Sequence, residues 1–513
     1  MGSQETHQRQ DARGLHRRDG SEDQRARPSR ARQARGPQVP LAAFNLASAL
    51  ADAACAAGRG DRPAIRYGGE TLSYRELAAM QDSAARGLRD RGVRPDERVA
   101  LVLRDSPRFI AAFLGAAKIG AIPVPLSTLA RPDDLDFMLR DCGATLTITD
   151  ADAGLFAGRP DPVAAAPTRE DDMCFWQYSS GTTGAPKAVV HLHRRALFPA
   201  EGHGRHVARI GPDDRVYSTA KLFFSYGLNN SMVIPLAAGA TVVLDPERFN
   251  AQRAWRLIAA ERPTVLYSVP TAYATLLAAA EAGEPADTAS LRACISAGEA
   301  LPAPLAERWH RRFGLAILDG IGSTEIGYIA ISNTADDVTP GSSGRLIPGY
   351  EARVVAADGA DAAEGTLWVR GGSTAARYHD RPDATAAAFR EGWVVTGDRY
   401  RVENGRYYHL GRDDDMLRVG AQWVSPLEVE SVLLSHPSVA ECAVVGRADG
   451  DGLLNVCAYV VLGDATPPSE LEELCAERLA RHKRPRWILP VAELPKTATG
   501  KIQRFRLREK ARA

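Results

Sequence analysis

The chain has 513 residues, with 64 Lys and Arg against 63 Asp and Glu, a net charge of +1, and 45% hydrophobic and 25% charged residues. This composition describes a soluble globular chain long enough for more than one domain, and it excludes collagenous, disulfide-rich and mostly disordered classes. Near-zero charge also lacks the surplus of Lys and Arg that neutralising nucleic-acid phosphates requires, so small molecules, and no nucleic acid, are the expected partners.

Residues 1 to 40 are rich in Arg, Gln and Gly and poor in large aliphatics. They bury too little apolar surface to offset ordering entropy, so a disordered Arg-rich tail is expected, as a solvated extension or a misplaced start codon rather than a binding arm. No run of about 18 apolar residues is present to span a bilayer. The N-terminus carries charge where a signal peptide is apolar, so no membrane contact and a cytoplasmic address are expected. The seven cysteines are scattered with no C-x-x-C pair, which predicts reduced, mostly buried thiols.

From Leu41 the chain alternates helical patterns, such as residues 72–92, with short apolar runs at 98–103, 145–150, 240–245, 264–270, 293–298 and 315–325. Helices alternating with brief Val/Ile/Leu-rich strands predict α/β architecture with largely parallel sheets, and ligand sites fall at the glycine turns that follow such strands. After about Gly341 the pattern shifts to short strands and turns, which predicts a β-rich subdomain over about 341–412 within a large domain, 41–412. Helix and strand patterns return toward the C-terminus, giving a small domain, 413–513. The polar stretch Arg412-Asp413-Asp414-Asp415 before it is a plausible hinge, because solvated loop residues absorb a backbone rotation without breaking a core.

The segment Tyr178-Ser179-Ser180-Gly181-Thr182-Thr183-Gly184-Ala185-Pro186-Lys187 combines glycines for a tight loop, hydroxyl donors and a cation. These are the parts of a phosphate cradle, although a Ser/Thr/Gly-rich surface loop has the same composition. It is not the common G-x-x-x-x-G-K-[ST] loop, because no Ser or Thr follows Lys187.

Taken with SAGEALP (296–302), DGIGSTEIGY (319–328), GWVVTGD (392–398), GRDDDML (411–417) and LPKTATGK (494–501), this loop resembles the adenylate-forming superfamily of acyl-CoA synthetases, adenylation domains and luciferases, over residues 41–513. AKLFFSYGLNN (220–230) and LPKTATGKIQRFRLR look like the benzoate-CoA ligase branch. The resemblance implies a large N-terminal domain of α/β sheets plus a β-rich subdomain, with a small mobile α+β C-terminal domain over the active site. It also implies the reaction: ATP and Mg²⁺ convert a carboxylate to an acyl-adenylate, which is then passed to CoA.

By the same resemblance Ser179, Ser180, Gly181, Thr182, Thr183, Gly184 and Lys187 hold the β and γ phosphates of ATP. Glu325 binds Mg²⁺ with Thr324 beside the α-phosphate, which suits a cation that prefers a carboxylate plus phosphate oxygens. Asp398, assisted by Arg412, takes the ribose hydroxyls, and Gly298, Glu299, Ala300, Asp319, Gly320 and Ile321 line the adenine. Lys501 bridges the carboxylate and the α-phosphate in the transition state, delivered and withdrawn by rotation about the hinge aspartate, Asp414.

The acid is expected to lie among Phe224, Ser225, Tyr226, Gly227, Gly298, Gly322, Ile326, Gly327, Tyr328 and Ile329, with flat glycine walls opposing aromatics as a slot for a planar ring. No Asp in 224–226 is present to pair an α-ammonium, which favours an aryl carboxylate over an amino acid. Tyr328 and Ser225 are expected to meet a hydroxyl or amino substituent on the ring. Relatives commonly carry Ser-Gly where this chain has Gly420-Ala421, and an added methyl there would crowd a pantetheine arm. That methyl counts against either pantetheine thiol; the resemblance implies CoA as the acceptor, with a carrier-protein phosphopantetheine as the alternative. His191 with His193, and His203 with His206, are spaced like metal ligands but lack a completing set, so packing and surface roles are expected.

Overall fold

The computed structural model describes residues 42–156, 161–179, 185–419, 422–450, 453–464, 466–496 and 502–512. The N-terminal tail, Ser180 to Gly184, the post-hinge pair Gly420-Ala421 and Lys501 therefore lie outside the described residues.

A nine-stranded sheet organises the large part of the molecule. Its core is parallel: Ile317–Gly322, Ala293–Ser296, Val265–Ser268, Arg215–Ser218, Thr241–Leu244 and Pro63–Tyr67 lie side by side in that order. The helices Ala251–Glu261, Pro270–Glu281 and Ala303–Phe313 join successive strands, as parallel pairing demands of its crossovers. Antiparallel strands close both edges, so the sheet is mixed rather than uniformly parallel: Glu70–Ser73 on one side, Ile329–Ser332 and Arg345–Leu346 on the other. A smaller parallel sheet holds Ile122–Pro125, Arg98–Val102 and Leu146–Thr149.

Local sequence fixes the helix ends. Ser73 and Glu76 form a reciprocal capping box at the start of Tyr74–Asp90, satisfying backbone donors that the first turn leaves open. Pro107, whose missing N–H costs nothing at a first helical position, follows the Ser106 cap of Pro107–Lys118. These helices pack on each other through Ala84, Ala85 and Gly115, where an added Cβ would meet backbone atoms of the opposite helix.

An antiparallel sheet holds Tyr350–Val355, Glu364–Gly371, Trp393–Glu403, Phe389–Arg390 and Arg406–Arg412. A hairpin of Met173–Ser179 and Lys187–Leu192 flanks the phosphate-loop segment, with Arg377–Tyr378 paired against its second strand. Toward the C-terminus Val439–Ala448, Leu454–Leu462 and Trp487–Pro490 form a three-stranded sheet, with Pro426–Leu434, Pro468–Arg478 and Arg504–Arg512 as its helices. Asp414 lies exposed in the turn between Arg406–Arg412 and Leu417–Val419. Among the described residues no helix is long and apolar enough to cross a membrane. All seven cysteines are free, and all but the half-buried Cys55 are buried.

Candidate active site

The site assembles at the carboxyl ends of the central strands. Strand Ile317–Gly322 ends in the turn Ser323-Thr324-Glu325, and the chain then reverses into Ile329–Ser332. Ser323 pins this reversal, its hydroxyl accepting from the Ile326 N–H at 3.1 Å and its carbonyl from the Gly327 N–H at 2.9 Å. Thr324 and Glu325 are left half-buried at the sheet edge.

The Tyr378 hydroxyl donates to Glu325 Oε1 at 2.9 Å, and the Lys187 ammonium lies 4.9 Å from the centre of the Tyr378 ring. Burial first, and the adjacent Glu325 charge second, raise the Tyr378 phenol, so it stays a protonated donor. Spacing gives no hint of Tyr378, which stands 53 residues from Glu325, and it was not among the expected site residues.

Asp398 sits within strand Trp393–Glu403 and accepts from Arg412 Nη1 at 3.0 Å, while His409 Nε2 stands 3.7 Å from the same oxygen. Burial alone would raise this carboxyl, but His409 and Arg412 outweigh it and hold Asp398 below the ordinary value, ionised and ready to accept. Antiparallel pairing sets Asp398 directly opposite Arg412. His409 is another residue the sequence did not single out. Asp319 is 7% exposed, and burial pushes its carboxyl up to about 8 against the weaker pull of Ser296 and the Leu301 and Gly320 N–H groups. Gly298 is exposed in a left-handed turn (φ 93°), and a Cβ there would approach only Val269, at 3.7 Å. Glu299, Ala300 and Ile321 are half-buried.

On the acid side, Phe224, Ser225 and Tyr226 are half-buried at the start of the short helix Ser225–Leu228. The Tyr226 hydroxyl donates to the carbonyls of Ser268 and Ile295, at 3.3 and 3.2 Å, which tethers the aromatic segment to adjacent strands. The Ser225 hydroxyl and the Asn229 amide both donate to the Gly327 carbonyl, at 3.2 and 3.1 Å. The aromatic segment is thereby fastened to the turn that carries Thr324 and Glu325.

Several acid-side expectations change. Ser225 already spends its hydroxyl proton on Gly327. Glycines 227, 322 and 327 are points of close backbone approach: a Cβ would strike the Lys221 carbonyl at Gly227, the Tyr328 carbonyl at Gly322 and the Ser373 carbonyl at Gly327. They are glycines because two backbones touch there. Ile326 and Ile329 are core residues, 0% and 2% exposed. Tyr328, at 2%, is buried as well, its ring edge-on to His203 at 5.2 Å and nearly parallel to Tyr226 at 6.0 Å. Its hydroxyl lacks a hydrogen bond of ordinary geometry among the described residues and lies near Asn230 and Tyr267.

The histidine pairs occupy packing and surface positions. His191 stacks on Phe175 at 4.5 Å, His193 Nδ1 accepts from the Leu46 N–H, His203 is buried and His206 exposed. No cluster of three His, Cys, Asp or Glu side chains suited to a metal occurs among the described residues.

Comparison with known proteins places this geometry. The profile of the AMP-binding enzyme family matches residues 52–379, and that of the AMP-binding enzyme C-terminal domain matches 428–501. The chain belongs to the AMP-binding enzyme family. This AMP-binding enzyme is 41% identical to a benzoate–CoA ligase of Thauera aromatica, over 91% of the chain and 96% of the relative. It is 39% identical to a 4-hydroxybenzoate–CoA/benzoate–CoA ligase of Rhodopseudomonas palustris, over 92% and 95%. Among solved structures, an anthranilate CoA ligase in complex with anthranoyl-AMP superposes with a TM-score of 0.87 at 35% identity, covering 92% of this chain and 98% of that one.

Proposed function

We propose that the protein is an AMP-forming acid–CoA ligase for an aryl carboxylic acid, benzoate or a substituted benzoate. The observation that carries this reading is the pair of hydrogen bonds from Ser225 and Asn229 to the Gly327 carbonyl, which sets an aromatic segment against the turn bearing Thr324 and Glu325. An aryl group resting on Phe224 and Tyr226 would lie beside that turn, within the segment that Ser225 and Asn229 fasten to it.

Activation begins with attack of the aryl carboxylate on the α-phosphorus of ATP, with pyrophosphate leaving. Lys187 and the loop before it hold the β and γ phosphates, Asp398 with Arg412 takes the ribose, and Gly298 to Ala300 with Asp319 to Ile321 border the adenine. Glu325 holds Mg²⁺. A lone carboxylate fits that ion, which keeps most of its shell for phosphate oxygens and water, and no all-protein cage competes for it among the described residues. Mg²⁺ supplies neutralisation of the triphosphate charge. Lys501 supplies the positive charge that stabilises the transition state between carboxylate and α-phosphate. The CoA thiolate then displaces AMP from the aryl-adenylate, giving aryl-CoA, after rotation of the C-terminal region about Asp414. Its exposed turn, anchored on one side by the Asp413 N–H donating to the Gly397 carbonyl at 2.9 Å, suits that movement.

CoA is favoured over a carrier protein because the CoA ligases are matched over 96% and 95% of their own length. A p-hydroxybenzoic acid–AMP ligase of Mycobacterium marinum is matched over only 69% of its length. Pyrophosphate release measured across benzoate, hydroxybenzoates, aminobenzoates, cinnamate and octanoate, with and without CoA, tests the reading. Aryl-dependent release that rises with CoA, together with loss of free thiol, is expected. Release indifferent to CoA refutes the acceptor, and a preference for octanoate refutes the aryl pocket.

A further inference from the structure

Tyr378 joins two parts of the site that are remote in sequence. It lies in the short strand Arg377–Tyr378, opposite Val189 of Lys187–Leu192, so backbone pairing fixes it beside the end of the phosphate-loop hairpin. Its N–H donates to Thr385 Oγ1 at 3.2 Å, and Phe389 stands edge-on to its ring at 5.3 Å. From this fixed position the hydroxyl reaches Glu325 Oε1 at 2.9 Å and the ring faces the Lys187 ammonium at 4.9 Å.

We propose that Tyr378 is a positioning residue for the metal-bound nucleotide, its hydroxyl aiming the Glu325 carboxylate and its ring stationing the Lys187 ammonium. The inference rests on the reading of Glu325 and Lys187 given above. A carboxylate offers about four lone-pair sites, so accepting one phenol hydrogen bond restricts its orientation and leaves capacity for a cation. A ring face holds an ammonium without cancelling its charge, as a carboxylate partner would, and leaves that charge for a phosphate. A single side chain thus sets the metal end and the phosphate end of the site relative to each other. The competing role is packing alone, since Tyr378 also belongs to a small buried cluster with Val189 and Ala375.

Full-length Tyr378→Phe and Tyr378→Leu, beside wild type and Glu325→Gln, separate these roles. ATP binding is followed by calorimetry, first with excess chelator and then with rising Mg²⁺, and the KM for the aryl acid is taken from pyrophosphate release. For Tyr378→Phe, metal-free ATP binding and the acid KM stay at wild-type values, while the Mg²⁺ concentration giving half the gain in ATP affinity rises about tenfold, the scale of one hydrogen bond to a charged group. Tyr378→Leu additionally weakens metal-free ATP binding, because Lys187 loses its station. A Tyr378→Phe enzyme with wild-type Mg²⁺ dependence and only a lower Tm overturns the inference and leaves a packing residue. If Glu325→Gln itself retains wild-type Mg²⁺ dependence, the assignment of Glu325 fails and the inference falls with it. If Glu325→Gln abolishes that dependence and Tyr378→Phe preserves it, the inference alone is refuted.

Discussion

The nucleotide side and the acid side of this site are built by different means. On the nucleotide side, polar side chains from distant elements hold one another: Tyr378 on Glu325, Lys187 over Tyr378, Arg412 and His409 on Asp398. On the acid side the backbone sets the shape, with glycines 227, 322 and 327 packed against carbonyl groups and the neighbouring isoleucines inside the core. Losing a side chain on the first side removes a charge or a donor and leaves the fold standing. Adding a single methyl on the second displaces main chain.

Lys501→Ala tests that contrast with the largest expected effect. If Lys501 supplies the bridging charge proposed for it, that charge is lost while the fold is kept, and pyrophosphate release is expected to fall by about 10³-fold, the scale of removing a preorganised charge from a transition state. The Tm and the conversion of supplied aryl-adenylate to aryl-CoA are expected to change little. Near-wild-type pyrophosphate release refutes the assignment of Lys501.

Gly327→Ala probes the acid side. Gly327 has φ 89°, a conformation costly for any residue with a Cβ, and the added methyl collides with the Ser373 carbonyl. A loss of about 2–4 kcal/mol of stability is expected together with a weakened aryl-acid KM, read by denaturant unfolding and by initial rates. An unchanged Tm returns Gly327 to the role of an open pocket wall.

The unequal legibility of the two sides follows from the same contrast. Side chains such as Glu325, Asp398 and Arg412 stand in contiguous motifs, so their identity and order were readable, as were the apolar runs that became the parallel strands. Tyr378 and His409 act through partners brought together by β-pairing, which no local spacing encodes. The acid-side glycines were visible, but whether a glycine faces a ligand or a neighbouring carbonyl depends on where a distant segment lies: Ser373 is far along the chain from Gly327. The Ser225 hydrogen bond was unreadable for the same reason, because its acceptor is a main-chain carbonyl with no sequence signature.

A smaller effect is expected from Ser225→Ala. The Asn229 amide continues to donate to the Gly327 carbonyl at 3.1 Å, so the turn keeps one of its fasteners. The aryl-acid KM is expected to rise about 2- to 5-fold, with no change in the KM for ATP, the scale of one neutral hydrogen bond. An equal rise for both substrates places the residue outside the acid side. A steeper loss for hydroxybenzoates than for benzoate restores direct contact with a ring substituent.

Asp319 lies where the two sides meet, on the strand that leads into the Glu325 turn, and here burial dominates over pairing. Its Oδ1 has no hydrogen-bond partner among the described residues, and its carboxyl is pushed up to about 8 from an ordinary 3.8. Between those values the folded protein holds a proton that the unfolded chain has released. The stability this confers is fully present below about pH 4 and is lost as pH rises through about 8, with a slope of at most about 1.4 kcal/mol per pH unit. Asp319→Asn has no proton to lose. Relative to the variant, the wild-type Tm is therefore expected to decline from pH 6 to 8.5 by scanning calorimetry. Asp105, raised by burial to about 7, contributes the same trend to both proteins and cancels in the difference. Parallel Tm curves would mean that Asp319 is already ionised and paired, making it one more member of the side-chain network rather than the place where backbone burial sets the chemistry.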